Sequence, residues 1–68
     1  MTPSIRVNGK NEALTAATVA ELLKARGIVR ARGVAVAVNG TVVPAAHWPE
    51  RRLASGDDIE IVRPFGGG

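Results

Sequence analysis

The three glycines that end the chain, Gly66, Gly67 and Gly68, carry its most distinctive chemistry. Glycine has no side chain to pack and loses more backbone freedom on ordering than any other residue, so a glycine run is a poor close to a folded domain. A run without side chains can, however, be threaded into a narrow slot of a partner. We therefore expect this end to be the working part, with the α-carboxylate of Gly68 as the reactive group and Gly66 and Gly67 as the threaded stretch.

The residues just before the glycines are expected to contact a partner. Phe65 is an aromatic side chain in a tail that offers it nothing to pack on, so we expect it to enter a pocket of the partner. Arg63, at the root of the tail, can steer docking onto an acidic surface. Pro64 favours an extended Arg63, and the five residues 64–68 span roughly 16 Å when extended. The sequence predicts one domain over residues 1–63 and a flexible tail over 64–68.

The composition excludes several other kinds of functional site. The chain has 68 residues, which suits one small domain, and it contains no cysteine and a single histidine. The lack of cysteine excludes a disulfide scaffold, a thiolate metal site and a cysteine nucleophile. We interpret Asp57 and Asp58 as turn formers and Glu60 as a solvated strand residue, so we predict no metal site. Since the sequence has no nucleophile–base pair and no phosphate-binding loop, we predict no catalytic residue and no bound cofactor, and we expect a protein that is not an enzyme.

The sequence shows neither a membrane span nor a secretory signal. The longest apolar run, Val34–Val38, is far too short to span a membrane. The N-terminus lacks the basic segment followed by an apolar stretch that marks a secretory signal. A cytoplasmic protein without membrane contact is therefore expected.

Positive charge is in modest excess and is scattered along the chain, with one denser group. The net charge is +3, from nine Lys and Arg against six Asp and Glu. The densest cationic group, at the end of a predicted helix, comprises Lys24, Arg26, Arg30 and Arg32. Cations stabilise the dipole of a helix at that end whatever the function. One Trp and one Phe offer few platforms for base stacking, so binding to nucleic acid is disfavoured.

Two Asn-Gly pairs predict two β-hairpins, because both central residues of a type I′ turn need positive φ. The first hairpin is predicted over 5–7, Asn8-Gly9 and 10–14, and the second over 34–38, Asn39-Gly40 and 41–43. In the strand over 34–38 the valines form one face and the alanines the other. We expect the valines to meet a helix, and the alanines either to be covered by another segment or to be offered to a partner.

Between the hairpins the sequence predicts a short helix over 19–26. The Thr18 hydroxyl is expected to accept from the N–H of Glu21, whose carboxylate is expected to reach back to the Thr18 N–H. Gly27 is expected to end the helix in a left-handed conformation. The apolar stripe of this helix comprises Val19, Leu22 and Leu23.

The last third of the chain completes the predicted fold. It comprises a short helical turn over 45–48 with Trp48 as a packing anchor, a brief edge strand over 50–53, and a final strand over 59–62. If the first and last strands lie side by side at the centre of a mixed sheet, the helix can cross one face and bury the apolar side chains. This arrangement is one of a few that the pattern allows, and we predict it: an α+β fold of the β-grasp (ubiquitin-like) type, with a mixed sheet of about five strands and one main helix packed on one face.

Several of these pieces, taken in order, resemble the ThiS family of sulfur carrier proteins of bacterial thiamine biosynthesis. The matching pieces are Val7-Asn8-Gly9, Thr18 to Leu23, Val36 to Pro44, Trp48, Leu53 to Val62, and the final Gly67-Gly68. Each piece alone is weak, but the ordered set covers nearly the whole chain and closes on a diglycine. A third glycine, Gly66, and the aromatic Phe65 depart from the pattern and leave the identity of the partners open.

The resemblance implies a function for the tail. In that family Gly68 corresponds to the glycine that a ThiF-type adenylyltransferase adenylates with ATP and Mg²⁺, and Gly67 to the other half of the diglycine. A sulfur donor, such as a cysteine desulfurase, then supplies the sulfur of a thiocarboxylate, which is delivered to the thiazole synthase ThiG. This order makes chemical sense, because a free carboxylate would have to expel oxide whereas an acyl-adenylate expels AMP.

Two other functions stay open at this point. One is a related sulfur carrier, the small subunit of molybdopterin synthase, or a ubiquitin-like modifier joined to lysines. The molybdopterin subunit shares the diglycine but is usually longer and lacks the spacing from Val-Asn-Gly through Pro to Trp seen here. The other is a basic β-grasp module that binds RNA through the Lys24–Arg32 region.

Overall fold

The computed structural model describes residues 2–63. The predicted tail over 64–68, with Phe65, Gly66, Gly67 and Gly68, lies outside the described residues. The elements, in chain order, are β1 (Ser4–Val7), β2 (Lys10–Ala13), α1 (Val19–Ala25), β3 (Ala35–Val38), β4 (Thr41–Val42), a 3₁₀ turn (Ala45–His47) and β5 (Asp58–Val62).

The strands form one mixed sheet in the order β2-β1-β5-β3-β4. The first and last strands are parallel neighbours, with Arg6 opposite Asp58 and Val7 opposite Ile59. The β3 strand pairs antiparallel with the other edge of β5. The last strand therefore lies at the centre of the sheet, between the two hairpins, and the predicted β-grasp arrangement is confirmed.

Both predicted hairpin turns are present. Asn8 and Asn39 have φ of 50° and 52°, and the glycines that follow them have φ of 85° and 83°, as a type I′ turn requires. The second strand of each hairpin is one residue shorter than predicted, since β2 ends at Ala13 and β4 at Val42. Pairing continues just beyond β4, where the Val43 N–H donates to the Val36 carbonyl at 2.8 Å.

The start of α1 differs in one detail from the prediction. The Thr18 hydroxyl accepts from the Glu21 N–H at 3.2 Å, as expected. The Glu21 carboxylate, however, accepts from the Ala17 N–H at 3.2 Å rather than from that of Thr18. Thr18 is extended, with φ −134° and ψ 167°, and in an extended chain successive N–H groups point to opposite sides. The Glu21 carboxylate therefore binds the N–H of Ala17, the residue before Thr18.

The end of α1 is a Schellman cap. Gly27 has φ 79°, its N–H donates to the Lys24 carbonyl at 3.0 Å, and the Ile28 N–H donates to the Leu23 carbonyl at 2.9 Å. The helix ends at Ala25, one residue earlier than predicted. The cap turns Ile28 back toward the core, where it packs partly buried.

The core lies between α1 and one face of the sheet. The helix contributes Val19, Leu22 and Leu23, and the strands contribute Ile5, Val7, Val36, Val38, Ile59 and Ile61. Trp48 closes one side of this cluster with 7% of its surface exposed, and its indole N–H donates to the Val43 carbonyl at 2.8 Å. The predicted role of Trp48 as a packing anchor is confirmed.

The brief edge strand predicted over 50–53 is present only as an isolated antiparallel bridge between Thr18 and Arg52. Two backbone hydrogen bonds of 2.9 Å flank it, from Val19 to Arg51 and from Leu53 to Ala17. This bridge ties the start of α1 to the segment before β5.

No helix within residues 2–63 is long and apolar enough to cross a bilayer.

The central strand should dominate stability. Replacing the fully buried Ile59 by Val should lower the free energy of unfolding by about 0.5–1.5 kcal/mol, because one methylene leaves a close-packed core. The control is Val62→Thr on the same strand, which keeps the β-branch at an exposed position and should cost about 0.5 kcal/mol or less. Urea denaturation measures both, and equal losses would contradict the proposed core.

Candidate functional site

The candidate site is the end of β5, where the chain leaves the sheet toward the predicted tail. Ile59 and Ile61 point into the core, and Asp58, Glu60 and Val62 point outward, as the alternating pattern predicted. Arg63, the last described residue, follows directly and is exposed. Because β5 pairs with a strand on each edge, the point at which the chain leaves the sheet is held in place by the central strand.

The side chain of Asn8 holds this end of β5 in place. Its carboxamide oxygen accepts from the Ile61 N–H at 2.8 Å, and its amide donates to the Ile61 carbonyl at 3.2 Å. The Asn8 N–H still donates to the Ile59 carbonyl at 2.9 Å, but beyond it the backbone turns into the hairpin, because Asn8 has positive φ. The carboxamide, which has the same donor and acceptor as a peptide group, extends the parallel ladder by one further step.

The side chain of Asn39, in the other hairpin, contacts the start of β5. Its side-chain oxygen accepts from the Asp58 N–H at 2.9 Å, and its amide donates to the Asp57 carboxylate at 3.0 Å. Asp57 also accepts from the Ala54 N–H at 2.8 Å, which supports the interpretation of this residue as a turn former. The two turn asparagines thus fasten the central strand at opposite ends.

Sequence reasoning assigned Asn8 and Asn39 only to their turns and missed this second role. A signal was available: both hairpin turns use Asn where Gly or Asp also supplies the required conformation. Only a carboxamide both donates and accepts, so only Asn can also imitate a peptide group.

A small polar cavity lies beside the end of β5, between that strand and the end of α1. Its volume is about 350 Å³, and the residues that line this root cavity are Asn8, Ala25, Arg26, Ile28, Ile61 and Arg63. Arg26 is ion-paired with Glu12 of β2. The root cavity therefore carries two guanidinium groups, one tied to the sheet edge and the other on the residue that leads into the predicted tail.

The face of the sheet opposite α1 is uncovered among the described residues. Cross-strand register places Ala35 beside Val62 and Ala37 beside Val42, and the two valines are 63% and 69% exposed. We call these four residues the valine–alanine patch. Glu60, opposite Ala37, and Asp58 border it on β5. The small apolar face predicted for the strand over 34–38 is therefore an open surface beside the strand that leads into the tail.

The structure places one of the five predicted site residues, Arg63, which lies at the root cavity. Phe65 and the glycines Gly66, Gly67 and Gly68 lie outside the described residues, so their roles stay predictions. His47 is exposed, and its ring nitrogen lies 3.5 Å from the Glu50 carboxylate. Over residues 2–63, no group of three or more His, Asp and Glu side chains is placed to hold a metal ion.

Comparison with known proteins identifies the family. The sequence model of the ThiS family matches residues 5–68, nearly the whole chain. The chain belongs to the ThiS family. A crystal structure described as thiamine biosynthesis protein (ThiS) from Geobacter metallireducens is similar to it, with 32% sequence identity and a TM-score of 0.76. The similarity covers 96% of this chain and 99% of that one. No curated protein matches the chain in sequence.

The carboxamide of Asn8 should be necessary for order at the end of β5. Asn8→Gly keeps a residue that accepts positive φ and removes both hydrogen bonds to Ile61. We expect a loss of about 1–2 kcal/mol in unfolding free energy and faster hydrogen exchange at the Ile61 amide. Asn39→Gly is the matched control, which should speed exchange at Asp58 and leave Ile61 protected. An unchanged Ile61 exchange rate in Asn8→Gly would show that the side chain does not hold the strand.

Proposed function

We propose that the chain is a sulfur carrier of thiamine biosynthesis that acts through the carboxylate of Gly68. Membership in the ThiS family carries this proposal. The position of β5 supports it, because the strand that precedes the glycines is the central strand of the sheet and is held at Ile61 by the Asn8 side chain. A firmly held strand end gives a partner a defined point from which to take the next residues.

The proposed reaction begins with activation of the carboxylate. An oxygen of the Gly68 carboxylate attacks the α-phosphorus of ATP, pyrophosphate leaves, and an acyl-adenylate forms. A sulfur nucleophile then attacks the acyl carbon, and AMP leaves with the electron pair of the broken C–O bond. Hydrosulfide gives the thiocarboxylate directly, whereas a persulfide gives an acyl disulfide whose S–S bond a thiol must reduce. On thiazole synthase the thiocarboxylate sulfur bonds to the substrate, and water cleaves the acyl–sulfur bond, which leaves the sulfur on the substrate and restores the Gly68 carboxylate.

In this scheme the chain is a co-substrate and not a catalyst. Activation needs groups that stabilise the charge developing on phosphate and acyl oxygens, and the partner enzyme supplies them together with its ATP and Mg²⁺. The contribution of this chain is to present an acyl group without side chains. A β-carbon at Gly67 or Gly68 would crowd the slot around the reacting carbonyl, whereas Gly66 adds length to the part that threads.

The proposed partners follow from the two steps. A ThiF-type adenylyltransferase activates Gly68, a cysteine desulfurase or similar protein supplies the sulfur, and a ThiG-type thiazole synthase receives it. We propose that residues 1–63 form the body that these proteins hold and that 64–68 is the segment they thread. The cytoplasm, where ATP is available, is the proposed location.

The C-terminal glycine should be indispensable for activation. The intact protein, incubated with a ThiF-type enzyme, ATP, Mg²⁺ and a sulfur donor, should gain the mass that corresponds to exchange of one oxygen for one sulfur. Deletion of Gly68, or addition of one residue after it, should abolish that gain because the acyl carbon is displaced from the site of reaction. Intact-mass spectrometry measures the gain, and unchanged circular dichroism shows that the variants remain folded.

Three results would count against this proposal. A mass gain in the Gly68 deletion would place the chemistry elsewhere. A normal gain without transfer to a ThiG-type synthase would favour a carrier of the molybdopterin type. An unchanged mass together with tight, salt-sensitive binding of RNA would favour the RNA-binding module.

Phe65 and Arg63 should act in partner binding rather than in the reaction. Phe65→Ala should raise the KM for the carrier in ATP–pyrophosphate exchange about tenfold, the effect of losing an aromatic anchor, and should leave kcat within about twofold. Arg63→Ala should raise KM less than Phe65→Ala does at physiological salt, because salt screens an exposed charge. The control is Phe65→Leu, which keeps an apolar side chain and should recover most of the affinity. A fall in kcat with unchanged KM would contradict the assignment.

A further inference from the structure

A second concave surface lies on the helix side of the sheet, away from the valine–alanine patch. Its volume is about 310 Å³, and we call it the helix groove. Its buried and half-buried members are Ala20, Leu23, Ile28 and Trp48, and its exposed members include Lys24, Val29 and Arg30. The interior of the groove is therefore apolar, and its rim carries two cations.

The Schellman cap explains why this groove is open. Gly27 reverses the chain after α1 and turns Ile28 inward, so the next residue, Val29, projects outward with 83% of its surface exposed. Val29 is the most exposed large apolar side chain in the part of the chain that the structure describes. An exposed branched apolar side chain at the mouth of an apolar groove is in unfavourable contact with water in the free protein. A partner that covers it would remove that contact.

Among the described residues, the cations at the rim form no ion pair. Within residues 2–63, the ion pairs are Arg26 with Glu12 and His47 with Glu50. Lys24 and Arg30 form neither of these, although both line the groove. Arg32, two residues farther along, is also exposed. A surface with this charge is complementary to an acidic partner and would steer its approach.

The helix groove and the root cavity adjoin at one shared lining residue, Ile28. Arg63, which lines the root cavity, adds a guanidinium at the point where the predicted tail begins. A protein that holds the start of the tail therefore has the groove beside it.

We propose that the helix groove is a docking site for an acidic segment of the activating enzyme, which places an aliphatic side chain between Val29 and Trp48 and carboxylates against Lys24 and Arg30. This inference rests on the proposed function and adds a specificity surface to it. The groove would select the carrier before the tail is engaged, so its contribution is to recognition and not to the reaction.

The same features disfavour nucleic acid as the occupant. Base stacking needs exposed aromatic faces, and Trp48, the aromatic residue of the groove, is buried to 7% exposure with its indole N–H donated to the Val43 carbonyl. A groove lined mainly by aliphatic side chains suits a protein segment, and cations only at its rim suit carboxylates around an apolar anchor.

The test is a charge reversal at the rim. Lys24→Glu combined with Arg30→Glu should raise the KM for the carrier in ATP–pyrophosphate exchange at least tenfold, leave kcat within about twofold, and weaken the dependence of KM on salt. The matched control is Lys10→Glu combined with Arg52→Glu, which changes the net charge equally at exposed positions that line neither the groove nor the root cavity. It should raise KM about twofold or less. Hydrogen exchange of both variants establishes that the fold is intact.

Each other outcome overturns the inference in a different way. Equal effects of the two double variants would show general electrostatic steering without a docking site. An unchanged KM in Lys24→Glu/Arg30→Glu, with loss of binding to single-stranded oligouridylate, would identify a nucleic-acid surface. A dimer in sedimentation equilibrium that the rim variant dissociates would identify a second copy as the occupant. If only the docking inference is wrong, the unaltered protein still shows the sulfur mass gain at saturating concentration. If the proposed function is wrong, the unaltered protein shows no such gain.

Discussion

The fold depends on burial of the inward side chains of β5 between α1 and the two hairpins. Ile59 has no exposed surface and Ile61 only 8%, and their strand pairs with β1 on one edge and β3 on the other. The two hairpins do not pair with each other, so the last strand makes one sheet out of two local units. A chain of this size buries only about 60% of its unfolded surface, which concentrates stability in these few contacts.

The hydrogen bonds of two turn asparagines complete that arrangement. A strand near a chain end is prone to fray, but β5 is held at its start by Asn39 and near its end by Asn8. Each residue serves two purposes because the carboxamide is left free when the backbone turns. The strand is therefore held at Ile61 on one edge and at Val62 on the other, where it pairs with Ala35, and the segment proposed to thread, 64–68, begins two residues beyond.

The two sides of the sheet provide different surfaces to partners. The valine–alanine patch is flat and bordered by Asp58 and Glu60, whereas the helix side is concave, apolar inside and cationic at its rim. In the proposed function, these folded surfaces serve recognition, and the proposed reactive atom lies on the terminal carboxylate.

The sequence by itself determined the local elements, because each rests on neighbouring residues. Asn-Gly pairs favour type I′ turns, Thr18 and Gly27 mark the ends of α1, and alternation assigns Ile59 and Ile61 to the core. The strand order was predicted only as a choice among arrangements, and the structure decided it. Two features were decided by the tertiary structure: the carboxamide bonds of Asn8 to Ile61 and the helix groove. The choice of Asn at the turn signals a side-chain role, but its partner is 53 residues away along the chain. Both features join groups whose distance and direction depend on how elements pack, and spacing along the chain does not encode that geometry.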